Sequence, residues 1–127
     1  MDFRDAPVDQ AELVRIRRQL HMYPETKWDL PRTTALVREE LERSGIFYEA
    51  DKYGPNTIVA TINPQIAAFT IALRADMDAL PIQERNEDKP YRSRIPGAMH
   101  ACGHDAHTAM LLGAAKALHA VRDRLRC

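Results

Sequence analysis

The stretch Ala-Met-Leu-Leu-Gly-Ala-Ala-Lys-Ala-Leu at residues 109 to 118 is apolar almost all round when wound as a helix. A helix of that kind is buried on both sides. It therefore demands a sheet and further elements to cover it. The same helix runs on through Val121 and Arg122 towards Cys127 with neither a glycine cap nor a following strand. The expectation is an α/β chain of short β-strands with flanking helices, forming the N-terminal part of a larger domain.

Local signals place the remaining elements. A helix is predicted over residues 9 to 21, where Asp9 and Glu12 resemble a capping box and Leu13, Ile16 and Leu20 recur at helical spacing. Arg15, Arg17 and Arg18 read as its solvated face. A second helix is predicted over residues 31 to 44. It opens on Pro31, stops at Gly45 and turns Thr34, Val37 and Leu41 to one side. Residues 46 to 50 and 57 to 62 read as strands around a Tyr53-Gly54-Pro55-Asn56 turn. Residues 69 to 73 read as a third strand, pairing with the second as a hairpin. Residues 81 to 96 are polar and loop-like, with Glu84, Arg85, Glu87, Asp88 and Lys89 solvated. Such a loop can shape a substrate entrance, and its composition fits disorder equally well.

The chemistry concentrates in His100-Ala101-Cys102-Gly103-His104-Asp105-Ala106-His107. A thiolate at Cys102 and a neutral imidazole at His104 are good ligands for a divalent ion such as zinc. Gly103 between them lets the backbone turn sharply, so that both side chains aim at one point. Asp105 falls where a helix N-cap belongs, and the positive end of the helix favours the thiolate. His107 and His119 read as surface or capping residues. A Cys-x-His pair alone is a weak metal signal, because stable sites commonly have three or four protein ligands.

A second acidic stretch strengthens it. Asp76 and Asp78 follow the proposed strand at residues 69 to 73, and in α/β folds the chemistry gathers at the carboxyl ends of strands. Two apart on extended backbone, they point the same way. One could bind the metal, or hold a ligating histidine in place through a hydrogen bond.

Arg-Ala-Asp-Met-Asp-Ala-Leu-Pro at 74 to 81 and Pro-Gly-Ala-Met-His-Ala-Cys-Gly-His-Asp-Ala-His at 96 to 107 resemble the M20 metallopeptidases. Arg17-Arg18-Gln19-Leu20-His21, Pro24-Glu25, Trp28 and Thr33 extend the likeness over nearly the whole chain. It is strongest to the N-acyl amino acid amidohydrolases, a branch that includes hippurate hydrolases and auxin-conjugate hydrolases. The resemblance implies a zinc-peptidase-like catalytic domain with two divalent ions, Zn, Mn or Co, and Cys102 and His104 among the ligands. It also implies that Asp78 orients a ligand, with Asp76 and Asp105 in support. Asp76 stands where related peptidases have histidine, a replacement the amidohydrolase branch shares. Asp29 stands where the branch commonly has Glu, and Pro31 intrudes nearby. In this family the general-base glutamate, further ligands and a dimerisation domain come later than these residues. Residues 1 to 127 are therefore expected to be a partial catalytic domain, and the full-length protein a homo-oligomer.

Composition excludes other classes. The 18 basic residues balance the 18 acidic ones, which argues against a nucleic-acid or anionic-membrane binder. Met1-Asp2-Phe3-Arg4-Asp5 is charged and reads as no signal peptide. No run is long enough to span a membrane. Two cysteines give no disulfide framework, which suits a reducing, cytoplasmic compartment. The expected function is metal-dependent hydrolysis of the amide bond of a small N-acyl amino acid. One alternative is a truncated, non-catalytic product or single-metal binding module. Another is a thiol hydrolase with Cys102 as nucleophile and His104 as base.

Overall fold

A computed structural model of the chain describes residues 5–65 and 69–127. The charged N-terminal stretch at residues 1–4 lies outside them. In order, the elements are α1 (Gln10–Met22), α2 (Pro31–Arg43), β1 (Tyr48–Ala50), β2 (Ile58–Ala60), α3 (His104–Ala120) and a 3-10 turn (Arg122–Arg124). Helices plus a small antiparallel sheet make this an α/β chain.

Local chemistry explains where the helices begin and end. Asp9 caps α1, its side chain accepting from the Glu12 N–H at 3.1 Å. Helix α2 starts on Pro31, and Leu30 before it has no side chain to offer. Glu25 supplies the cap from outside, its carboxylate accepting from the N–H groups of Arg32 at 2.9 Å and Thr33 at 2.7 Å. The Glu25 carbonyl also accepts from the Ala79 N–H at 2.7 Å. One residue thus anchors both α2 and the segment carrying Asp76 and Asp78. Gly45 ends α2 at a φ of +67°, which glycine adopts without steric cost.

Helix α1 packs most extensively on α3, with α2 alongside. The shared core is Ile16 and Leu20 from α1, Leu36, Val37 and Leu41 from α2, Ile46, and Ala109 and Leu112 from α3. Burying each large aliphatic side chain stabilises the fold by about 1.5–3 kcal/mol. Gly113 is where α1 and α3 come close: a Cβ there would lie 2.5 Å from Leu13 Cδ2. Glu40, 1% exposed among these aliphatics, is held by Arg15 of α1 at 2.5 Å, Lys116 of α3 at 2.6 Å and Arg43 at 3.4 Å. Burial alone would raise its carboxyl pKa, but the hydrogen bonds from Lys116 and Arg15 outweigh that and hold it below the ordinary value. Arg15 is therefore an interior ion-pair partner as well as a surface residue.

Two expectations fail here. Strand β2 pairs with β1, in the register Tyr48 to Ala60, Glu49 to Val59 and Ala50 to Ile58, and residues 69 to 73 form no strand. The β1–β2 turn closes on itself, with the Asp51 N–H donating to the Thr57 carbonyl at 2.8 Å, and residues 69 to 73 have no strand neighbour among the described residues. Phe69, Ile71 and Leu73 stay 57%, 63% and 57% exposed. Helix α3 buries Ala109, Leu112, Gly113 and Ala117 on one face, whereas Met110 remains exposed. The described residues provide cover on one side only. No helix among them is long and apolar enough to cross a membrane.

Candidate metal centre

Two backbone segments meet at the N-terminus of α3. The first is the segment from Asp76 to Ala79, held by the Glu25 contact. Met77 turns towards the core cluster, so Asp76 and Asp78, one residue to either side, share the opposite face. The second is the turn at Cys102-Gly103-His104. Gly103 sits at φ +98° and ψ 17°, left-handed backbone that favours glycine, and no atom lies within 4 Å of where its Cβ would be. The backbone angle, rather than crowding, calls for glycine. Helix α3 begins at His104, with Gly103 and not Asp105 in the capping position, and no side chain caps it.

His104 is gripped through one ring nitrogen. Its Nδ1 lies 2.9 Å from the Asp78 carbonyl oxygen and 3.0 Å from Asp78 Oδ1, while Nε2 lies 3.5 Å from Asp76 Oδ2. A proton on Nδ1, donated to Asp78, leaves the Nε2 lone pair free for a cation. His107 stacks on His104 at 5.4 Å between ring centroids and meets Asp76 Oδ1 through Nδ1 at 2.8 Å. That hydrogen bond holds the Asp76 carboxyl below the ordinary value. Asp76, His104 and His107 each offer a ligand atom within 4.8 Å of the others. His107, taken from sequence for a surface histidine, is exposed yet belongs to this group. Cys102 is exposed, a free thiol one glycine away from His104, and is not in the group. The donor set of imidazole, carboxylate and adjacent thiol suits a borderline-soft divalent ion.

Behind the turn lies a buried charge network that the sequence reading missed. Asp105, fully buried, accepts through Oδ2 from Arg17 Nε at 2.8 Å and stands 2.7 Å from His21 Nδ1. His21 Nε2 faces Glu84 Oε1 at 3.2 Å, and Glu84 Oε2 accepts from the Ser93 N–H at 2.6 Å. Arg17 and Glu84 are therefore not simply solvated, because each finds an opposite charge on a distant segment. The hydrogen bond to Asp105 raises the His21 pKa against the opposing effect of burial, with Glu84 adding to the rise. Burial would push Asp105 and Glu84 up, but His21, Arg17 and the Ser93 N–H hold both below their ordinary values. His100, from the same motif, is 4% exposed with neither ring nitrogen bonded. Burial depresses it to about 4, which keeps it neutral. Only the positions of Arg17 and His21, four apart on a helix facing an acidic turn, could have signalled the network.

Comparison with known proteins places these elements. The sequence profile of peptidase family M20/M25/M40 matches residues 72–126. An N-acyl-L-amino acid amidohydrolase of Geobacillus stearothermophilus is 42% identical over 117 residues, which is 92% of this chain and 31% of that protein. Thermostable carboxypeptidase 1 of Saccharolobus solfataricus is 44% identical over 111 residues, 87% of this chain and 28% of that one. The crystal structure of the Bacillus subtilis YXEP protein, described as a dinuclear metal binding peptidase from the M20 family, superposes with a TM-score of 0.85 at 39% identity. The match covers 93% of this chain and 34% of that one. The chain thus spans roughly a third or less of the proteins it matches.

Proposed function

We propose a function on one premise: the chain belongs to peptidase family M20. It carries part of the metal centre of a hydrolase that cleaves the amide bond of N-acyl amino acids. The observation that carries this reading is the grip of Asp78 on His104 Nδ1, which leaves Nε2 free beside Asp76 and one residue from the Cys102 thiol. Cys102 and His104 would hold a divalent cation of the Zn, Mn or Co class, with Asp76 lending negative charge. When bound, such ions lower the pKa of a water and polarise a scissile carbonyl.

The chain's own residues supply binding and orientation. Asp78 fixes the His104 tautomer and raises the basicity of its free nitrogen. The N-terminal end of α3 favours the Cys102 thiolate. The general base has to come from elsewhere in a complete enzyme. Both oxygens of Glu84 are engaged, by His21 and Ser93, and the carboxyl is buried. Glu87 is exposed in the polar loop. Further ligands, a dimerisation domain and a homo-oligomeric, cytoplasmic full-length protein belong to the same proposal.

Two experiments test it. The purified 127-residue chain, given Mn, Co or Zn, is expected to bind metal without releasing amino acid from hippurate or an N-acetyl amino acid. A chimera with residues 5–127 in place of the matching segment of the Geobacillus relative should release it in a metal-dependent way. Cys102→Ala and His104→Ala should each abolish that release. A folded chimera indifferent to both substitutions would overturn the site. Turnover by the isolated chain, lost in Cys102→Ala, would overturn the external base. Cleavage of dipeptides in preference to acyl amino acids would instead favour a carboxypeptidase.

A further inference from the structure

His21 lies in the last turn of α1 with its side chain 4% exposed, and both ring nitrogens face carboxylates. A neutral imidazole has one N–H and one lone pair, so either neutral tautomer would aim a lone pair at a buried carboxylate. Only the imidazolium donates to Asp105 and Glu84 together. Arg17, four residues earlier on the same helix face, donates to the same Asp105 oxygen. Two cations and two anions close a neutral set around Asp105. Tyr91 meets the His21 ring edge-on at 5.7 Å, and the His100 ring lies 6.4 Å away.

This set sits at a mechanically sensitive place. Asp105 follows His104 directly, and the turn before them pivots on Gly103, which has no side chain to restrain it. A turn free to pivot there would spread Cys102 from His104. We infer that His21 is a positioning residue of the metal centre: as an imidazolium held between Asp105 and Glu84, it fixes the first turn of α3 and so aims His104 and Cys102 at one cation. The inference rests on the assignment of Cys102 and His104 as ligands. The α1–α3 seam itself is apolar, through Ile16, Leu20 and Leu112, so the fold has independent support when the charge at His21 is removed.

The test is a Co(II) titration of the full 127-residue chain followed by visible absorption, with circular dichroism to establish folding. The thiolate-to-cobalt charge-transfer band reports Cys102 in the coordination shell, and the d–d bands report the ion as a whole. His21→Gln is expected to remain folded and to bind cobalt about tenfold more weakly, the low end of the loss seen when partners behind metal ligands are removed. Its charge-transfer band should also weaken relative to the d–d bands. A merely structural role would lower the melting temperature and leave affinity and band ratio unchanged, and that result overturns the inference. Should His21→Gln fail to fold, Glu84→Gln, which keeps the His21–Asp105 contact, is read the same way: weaker affinity and band uphold the inference, unchanged values overturn it. Cys102→Ala and His104→Ala, measured alongside, separate this from the ligand assignment. If neither weakens cobalt binding, that assignment fails and takes the inference with it. If both weaken binding and His21→Gln does not, only the inference fails.

Discussion

Replacing Asp78 by Asn should weaken metal binding about tenfold and no more. Loss of a hydrogen-bonding partner behind a metal ligand costs about 10- to 100-fold in affinity, and the geometry at His104 selects the low end. Nδ1 has two acceptors on the same residue, the carbonyl at 2.9 Å and the carboxylate at 3.0 Å. The substitution leaves the carbonyl in place, and an Asn oxygen can still accept. What disappears is the negative charge that makes the free nitrogen more basic. A tenfold change corresponds to about 1.4 kcal/mol, just under the roughly 1.5–3 kcal/mol of hydrogen bonds to charged groups. The assay is calorimetric titration of the chain with Zn, Mn or Co, repeated with Asp78→Ala, which removes the side-chain acceptor and should lie close to Asp78→Asn. Unchanged affinity would make Asp78 a solvated loop residue. A loss of 100-fold or more in a folded protein would mean that the carbonyl does not hold the ring, and the two-acceptor argument would fall.

At the helix crossing, Gly113→Ala should change stability by less than about 1 kcal/mol, because the helix-propensity gain of about 1 kcal/mol offsets an off-rotamer shift of Leu13 of similar size. Gly113→Leu has no such outlet and should cost about 1–3 kcal/mol or more in urea denaturation; a leucine variant as stable as wild type would show the seam to be loose. The His21 network gives stability a maximum in pH. His21, raised above 6.5, contributes fully below that pH and loses its contribution as pH rises through the folded value. Asp105 and Glu84, lowered from 3.8 and 4.5, contribute fully above those values and lose it as pH falls through the folded ones. His100, buried neutral and depressed to about 4, makes stability rise with pH up to about 6.5, so thermal midpoints should peak near about pH 6.5, and His21→Gln should flatten the alkaline side. A midpoint that climbs steadily from pH 6 to 9 in the wild type would contradict the charged histidine.

The parts legible in the sequence are those whose causes are local. Asp9 capping α1, Pro31 opening α2 and Gly45 closing it act within a few residues, and each stands where the spacing put it. The turn at Cys102-Gly103-His104 was legible because it is contiguous, and Gly103 takes the positive φ that its place there suggested. The third strand at residues 69 to 73 was not fixed by its own sequence, since a strand exists only with a neighbour and none lies beside it among the described residues. Arg17 and Glu84 looked like surface charge, and His21 carried no signal of its own, for a related reason. Their partners lie 63 to 88 residues apart in sequence, and neither periodicity nor composition encodes which distant carboxylate meets which cation. His107 was discounted on its own, because its value depends on Asp76 arriving from 31 residues upstream.

Glu40 bears on how faithfully three helices find one arrangement. Leu36, Val37 and Leu41 would make nearly as good a contact if α2 rolled slightly on its neighbours, because apolar packing is non-directional. The carboxylate between them would not. Only one rotation of α2 brings it to Arg15 and Lys116 together, and any other leaves a charge in an aliphatic seam at a cost of several kcal/mol. The penalty falls on the packed state, so Glu40 singles out one rotation of α2 among those its aliphatic face alone would accept.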